Sequence, residues 1–86
     1  MSSINTAERV RLTVAEFAGL STGIEAVADT DDLFAAGMTS HSSVNVMLGL
    51  EGEFEMEFPD EFLIRSVFES IRNMTVAVDA ILMGAT

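Results

Sequence analysis

Hydrophobic positions along the chain recur at helical spacing in several blocks, separated by stretches where that period is lost. The first block holds Ala7, Val10, Val14, Phe17 and Ala18, at the three- and four-residue offsets that put apolar side chains on one helix face. Asn5, with Glu8 three positions on, reads as a helix N-cap and its partner carboxylate, and Gly19 supplies the stop. From Leu20 to Met38 the period disappears. A connection this long inside a compact domain is uncommon unless it carries function or is pinned by side chains, and Ile24, Val27, Leu33 and Phe34 are the pins it offers.

Thr39 or Ser40 can cap a second helix over residues 40–54, about 22 Å long at about 1.5 Å per residue. Its predicted apolar stripe is Val44, Met47, Leu48 and Leu50, continuing to Phe54. Met56 and Phe58 then alternate with Glu55 and Glu57 in a short extended connection, and Pro59 disfavours helix in the residue before it. Phe62, Leu63, Val67 and Phe68 predict a third, less regular helix that breaks around residues 70–73. Asn73 is placed to cap a last helix with Met74, Ala77, Val78, Ile81 and Leu82 on one face. The expected architecture is all-α, a small four-helix bundle with a long connection between its first and second helices. One domain spanning residues 1–86 is expected, with Gly84 to Thr86 as a frayed end.

Composition narrows what such a bundle can do. A chain of 86 residues builds one core but encloses no sizeable active site, so its chemistry belongs on the surface. Four basic against 14 acidic residues give a formal charge of -10, and four scattered arginines make no basic patch, so nucleic acid is excluded as a partner. The same charge favours encounters with basic protein surfaces. There is no cysteine, hence no disulfide and no thiolate nucleophile, and the single histidine cannot build a zinc site. Asp29, Asp31 and Asp32 fail as a calcium loop, because Leu33 takes the fifth position and no glycine follows in the sixth; no metal is expected. No apolar run approaches a bilayer span, and the N-terminus lacks a basic segment followed by an apolar one. A monomeric, cytoplasmic protein that engages no membrane is expected.

Candidate chemistry gathers at the start of the second helix. Ser40 stands where unpaired backbone N–H groups and the helix dipole favour an attached or bound phosphate, although a serine there can equally be only a cap. His41 follows it, but adjacent helical residues point about 100 degrees apart, so the two form no nucleophile–base pair and no enzyme is expected. An imidazole there could instead contact a phosphate or a partner. Met47 and Met74 fall on core stripes, which leaves Met38, beside Ser40, as the functional methionine. The series from Glu51 to Glu57 is a charged face open to solvent or to a basic partner.

From Asp31 onward the order of elements resembles the acyl carrier protein family. Asp32-Leu33, Gly37, Thr39-Ser40-His41, Leu50-Glu51-Gly52-Glu53-Phe54 and Phe58-Pro59-Asp60-Glu61 stand where that family has an acidic-Leu entry, a glycine, the modified serine, a Leu-Glu-x-x-Phe element and a Pro-Asp-Glu turn. The resemblance implies that Ser40 receives a 4'-phosphopantetheine arm from coenzyme A through a phosphopantetheinyl transferase. The arm would bring the thiol this sequence lacks. Thr39 and His41 replace the family's usual Asp and Leu, and the interval from Pro59 to Ile71 is longer than usual. The second helix starts without carboxylates, and Gly37-Met38-Thr39-Ser40 with Met47-Leu48-Gly49-Leu50 is similar to a bacterial subgroup of aminoacyl carrier proteins. That subgroup implies an amino acid:carrier-protein ligase as partner, with Met38, Thr39, His41, Val44 and Glu51 as contacts. The competing readings are a fatty-acyl carrier served by acyl-transferring enzymes, and an unmodified acidic adaptor in which Ser40 is only a cap.

Overall fold

The computed structural model describes residues 5–84. Its α-helices are α1 (Thr6–Phe17), α2 (Ser40–Phe54) and α3 (Ile71–Met83), joined by connections with 3-10 turns at Ile24–Ala26, Asp60–Phe62 and Arg65–Phe68. No strand occurs among the described residues. The fold is therefore all-helical, as expected. Gly84 caps α3, while the frayed end expected at Ala85 and Thr86 lies outside the described residues.

Local signals set the start of α1. Asn5 Oδ1 accepts the Glu8 amide at 2.9 Å, the predicted cap. Val10, Val14 and Ala18 are buried, and α1 packs against both other helices. Close approach to α2 depends on Gly49, where a Cβ would come within 2.6 Å of the Phe17 ring and 2.9 Å of Thr13 Cγ2. Arg9 ties the far end of the pair. Its Nε and one terminal nitrogen donate to the carboxylate and carbonyl of Glu53, each at 2.8 Å, and its guanidinium lies 4.3 Å from the Phe54 ring centroid.

The connection from Leu20 to Met38 is pinned as expected: Val27 and Leu33 are buried, and Ile24 and Phe34 pack half-buried against the core. Backbone bonds anchor it further. Leu33 N–H donates to Glu69 at 2.7 Å, Arg72 N–H to Asp29 at 2.9 Å, and Ser21 N–H to Ala36 at 3.0 Å. Arg11 adds a clamp that periodicity does not announce, donating to the carbonyls of Ile24 and Val27 and to the Asp29 carboxylate. Gly37 then turns the chain into α2 at φ 120, in a region that side chains rarely adopt, with Ser21 packed where a Cβ would point.

The span of α2 matches the prediction, and Thr39 is its cap: Thr39 Oγ1 accepts the Ser42 amide at 3.0 Å while Ser42 Oγ accepts the Thr39 amide at 2.8 Å. Its buried face differs from the expected stripe. Val46, Leu50 and Phe54 are buried and Met47 partly so, whereas Val44 and Leu48 are 50% and 55% exposed. Successive offsets of four carry residues 46, 50 and 54 toward the other helices, and a residue two positions away lies about 200 degrees round the axis.

Where a third helix was expected there are two 3-10 turns. Leu63, with ψ 61, and extended Ile64 interrupt any continuous helix. This broken path lets Phe58 and Phe68 both reach the core, their ring centroids 5.5 Å apart, while Leu63 and Ile64 remain exposed. Three α-helices with intervening turns thus stand in place of the four-helix count. The last helix begins before Asn73, capped by Ser70, whose Oγ accepts the Asn73 amide at 3.0 Å. Asn73 instead donates from its side chain to the Ser66 carbonyl at 2.8 Å, holding the turn against α3. Ile71, Met74, Ala77 and Val78 are buried, Ile81 half so, and Leu82 is exposed.

Candidate functional site

The mouth of α2 holds four hydroxyl side chains, and the structure gives three of them work. Thr39 and Ser42 form the reciprocal cap; Ser43 Oγ donates to the Ser40 carbonyl at 2.7 Å. Among the described residues no hydrogen bond engages the Ser40 hydroxyl, and Ser40 is exposed. It is thus a first-turn residue rather than the cap, which belongs to Thr39. Backbone amides of this first turn, with no acidic side chain among them, give the surroundings a positive partial charge.

Ser40 opens onto a groove of about 480 Å³ between α2 and the segment that replaces the third helix. Ser43, Val44 and Met47 form one wall, with Leu63, Ile64 and Phe68 opposite; Phe34 and Arg65 complete the lining. The walls are apolar apart from the two serines and the guanidinium, and no carboxylate lines them. An elongated chain with a polar origin and an apolar body fits such a channel.

The residues singled out from sequence part into two groups. Thr39, His41 and Val44 are exposed around Ser40, and Val44 also lines the groove. Met38 does not join them. It is 3% exposed and packs in the core, because its amide donates to the Leu33 carbonyl at 3.0 Å and turns the side chain inward behind Gly37. Glu51 is also committed elsewhere: its Oε2 accepts the Phe58 amide at 3.0 Å, bracing the turn out of α2. Leu63, Ile64 and Arg65 line the groove although hydrophobic spacing predicts a helix there and marks none of them as a site residue. The Pro59-Asp60-Glu61 turn just before them was the available signal for irregular backbone.

Among the described residues no helix is long and apolar enough to cross a membrane, and no three potential ligands gather to hold a metal ion. The geometry matches known proteins over nearly its whole length. The family model described as the phosphopantetheine attachment site matches residues 8–77. The aminoacyl carrier protein of Agrobacterium fabrum (strain C58) is 44% identical over 75 residues, which are 87% of this chain and 90% of that protein. In a crystal structure of an engineered Bradyrhizobium japonicum glycine:carrier protein ligase complexed with a carrier protein from Agrobacterium tumefaciens and ATP, one chain superposes with a TM-score of 0.86. It is 40% identical, and the match covers 90% of this chain and 100% of that one. A solution structure of an Agrobacterium tumefaciens protein matches at a TM-score of 0.74 and 42% identity, over 92% of this chain and 95% of that one. Matched by the family model from the first turn of α1 into α3, and so including the exposed serine at the mouth of the groove, the chain belongs to the phosphopantetheine-bearing carrier proteins.

Proposed function

We propose that this chain carries an aminoacyl group on a phosphopantetheine arm attached to Ser40. A phosphopantetheinyl transferase installs the arm from coenzyme A, and an amino acid:carrier-protein ligase loads it. The observation that carries this reading is the uncommitted, exposed hydroxyl of Ser40 among neighbours whose hydroxyls are already bonded. The residues present fit the arm. Ser40 offers an oxygen free to form the phosphoester, the acid-free first turn of α2 favours the resulting charge, and the apolar groove gives the arm a wall to lie along. When bound, the arm supplies the thiol for a thioester, in a chain without cysteine.

The aminoacyl cargo is favoured by the 44% identical aminoacyl carrier protein and by the 40% identical chain in complex with a glycine:carrier protein ligase. Thr39, His41 and Val44 are the contacts assigned to the transferase and the ligase, and Met38 and Glu51 support them from within. In this reading residues 1–86 act as one monomeric carrier domain in the cytoplasm. The Arg65–Phe68 turn takes the place of the third helix of a four-helix carrier bundle.

Intact mass tests the reading in two stages. With coenzyme A and a broad-specificity transferase, the chain gains the mass of one phosphopantetheine. With glycine, ATP and a glycine:carrier protein ligase, the modified chain then gains a hydroxylamine-labile glycyl group. Loading by fatty-acid enzymes and by no amino acid ligase would transfer the cargo assignment to fatty acyl groups. Failure of the first stage would leave an unmodified acidic adaptor.

A further inference from the structure

Four arginines carry nearly all the positive side-chain charge of this chain, and two are already committed. Arg9 is held by the carboxylate and carbonyl of Glu53, and Arg11 by two carbonyls and Asp29. Arg65 is placed differently. Its guanidinium carbon lies 3.8 Å from the Phe34 ring centroid, and its nearest carboxylate oxygen, on Glu69, is 4.0 Å away, at the outer limit of an ion pair. The side chain is 61% exposed, and among the described residues it donates no hydrogen bond. The cation–π contact holds the guanidinium over the ring while leaving its five N–H donors unused.

Arg65 lines the same groove as Ser40, on the opposite wall from α2, and that lining contains no acid. In a chain of net charge -10, a pre-oriented cation facing an acid-free channel is an unusual placement. A phosphodiester on Ser40 would put a permanent negative charge at the mouth of this channel. Guanidinium groups match phosphate oxygens by paired N–H donors, a geometry that an ammonium group does not reproduce.

We propose that Arg65 is a positioning residue for the arm: its guanidinium hydrogen-bonds the phosphodiester on Ser40 and directs the arm along Val44, Met47, Leu63 and Ile64. The proposal rests on Ser40 as the attachment point. Phe34 holds the guanidinium in place, and the weak contact with Glu69 is readily exchanged for the phosphodiester. The broken backbone at Leu63 and Ile64 acquires a role, since it delivers Arg65 to the groove rather than to a solvent-facing helix surface.

The test uses the full chain in its apo and arm-bearing forms, with conversion verified by intact mass. Nuclear magnetic resonance of the arginine Nε–Hε groups is expected to show Arg65 shifting on conversion, while Arg9 and Arg11 stay in place. The phosphorus resonance of the folded arm-bearing chain should be displaced from its position in urea. That displacement shrinks in Arg65→Gln and returns in part in Arg65→Lys, which keeps the charge but loses the paired donors. A fully converted chain whose Arg65 resonance does not move overturns the proposal, as does a phosphorus displacement unchanged by Arg65→Gln. If Arg65→Gln fails to fold, the wild-type Arg65 resonance and the lysine variant decide the matter by themselves. A chain that gains no mass defeats the Ser40 reading and this proposal together, whereas full conversion with a silent Arg65 defeats this proposal alone.

Discussion

Replacing Gly37 with alanine tests how the connection delivers Ser40 to the surface. Gly37 sits at φ 120, and a Cβ there would lie 2.6 Å from Ser21 Oγ and 2.8 Å from the Ser21 backbone nitrogen. The hydroxyl could rotate away. The nitrogen cannot, because it donates to the Ala36 carbonyl at 3.0 Å. Holding a non-glycine residue in such a region costs about 1 to 3 kcal/mol. Relieving the contact by moving the loop sacrifices the Ser21–Ala36 bond, for about 0.5 to 1.5 kcal/mol more. Gly37→Ala should therefore destabilise the fold by about 2 to 4 kcal/mol. In a domain of this size each kcal/mol moves the melting temperature by about 4 to 8 °C, so a drop of roughly 10 °C or more is expected in a circular dichroism melt. Removing the serine hydroxyl as well, in Ser21→Ala with Gly37→Ala, should recover only part of the loss, since the backbone contact persists. A Gly37→Ala protein within about 0.5 kcal/mol of wild type, the range of an ordinary surface substitution, would refute this account of the turn.

Three further substitutions separate structural from partner-facing residues. Glu51→Ala, which leaves the half-buried Phe58 amide without its acceptor, should lower stability by about 1 to 3 kcal/mol in urea denaturation. An unchanged unfolding midpoint would return Glu51 to the partner surface. Glu55 ends α2 in the left-handed conformation at φ 53, so Glu55→Gly should stabilise the fold by up to about 1 kcal/mol and raise the urea midpoint accordingly; a lower midpoint would contradict that assignment. Leu48→Glu, at a 55% exposed position, should leave the melting temperature within a few degrees of wild type. Loss of stability there would restore Leu48 to the core.

What the sequence made legible follows from how locally each feature is determined. Asn5 could be read as a cap, and Thr39 as one of two candidates beside Ser40, because each side chain stands three residues before an amide that no helix satisfies internally, that of Glu8 and that of Ser42. The span of α2 and the four pins of the long connection were readable for the same reason, from spacing and hydrophobicity alone. Which face of α2 is buried was not, because that depends on where α1 and α3 lie, and only Gly49 hinted at the contact. Leu63 and Ile64 are apolar yet exposed, so hydrophobicity suggested a core helix where the burial of Phe58 and Phe68 demanded a broken path. Spacing places Met38 and Glu51 beside the site but does not announce that Met38 packs in the core or that Glu51 accepts the Phe58 amide, since both depend on how the chain folds back on itself. The role of Arg11 depends on acceptors 13 to 18 residues away, beyond the reach of any local pattern.

Fragment mass spectrometry of the chain after incubation with coenzyme A and transferase tests the central claim most directly, because three serines lie within four residues of one another. The account predicts a single phosphopantetheine located on Ser40, and none on Ser40→Ala even though Ser42 and Ser43 remain. An arm found on either neighbour, or on the alanine variant, would contradict it.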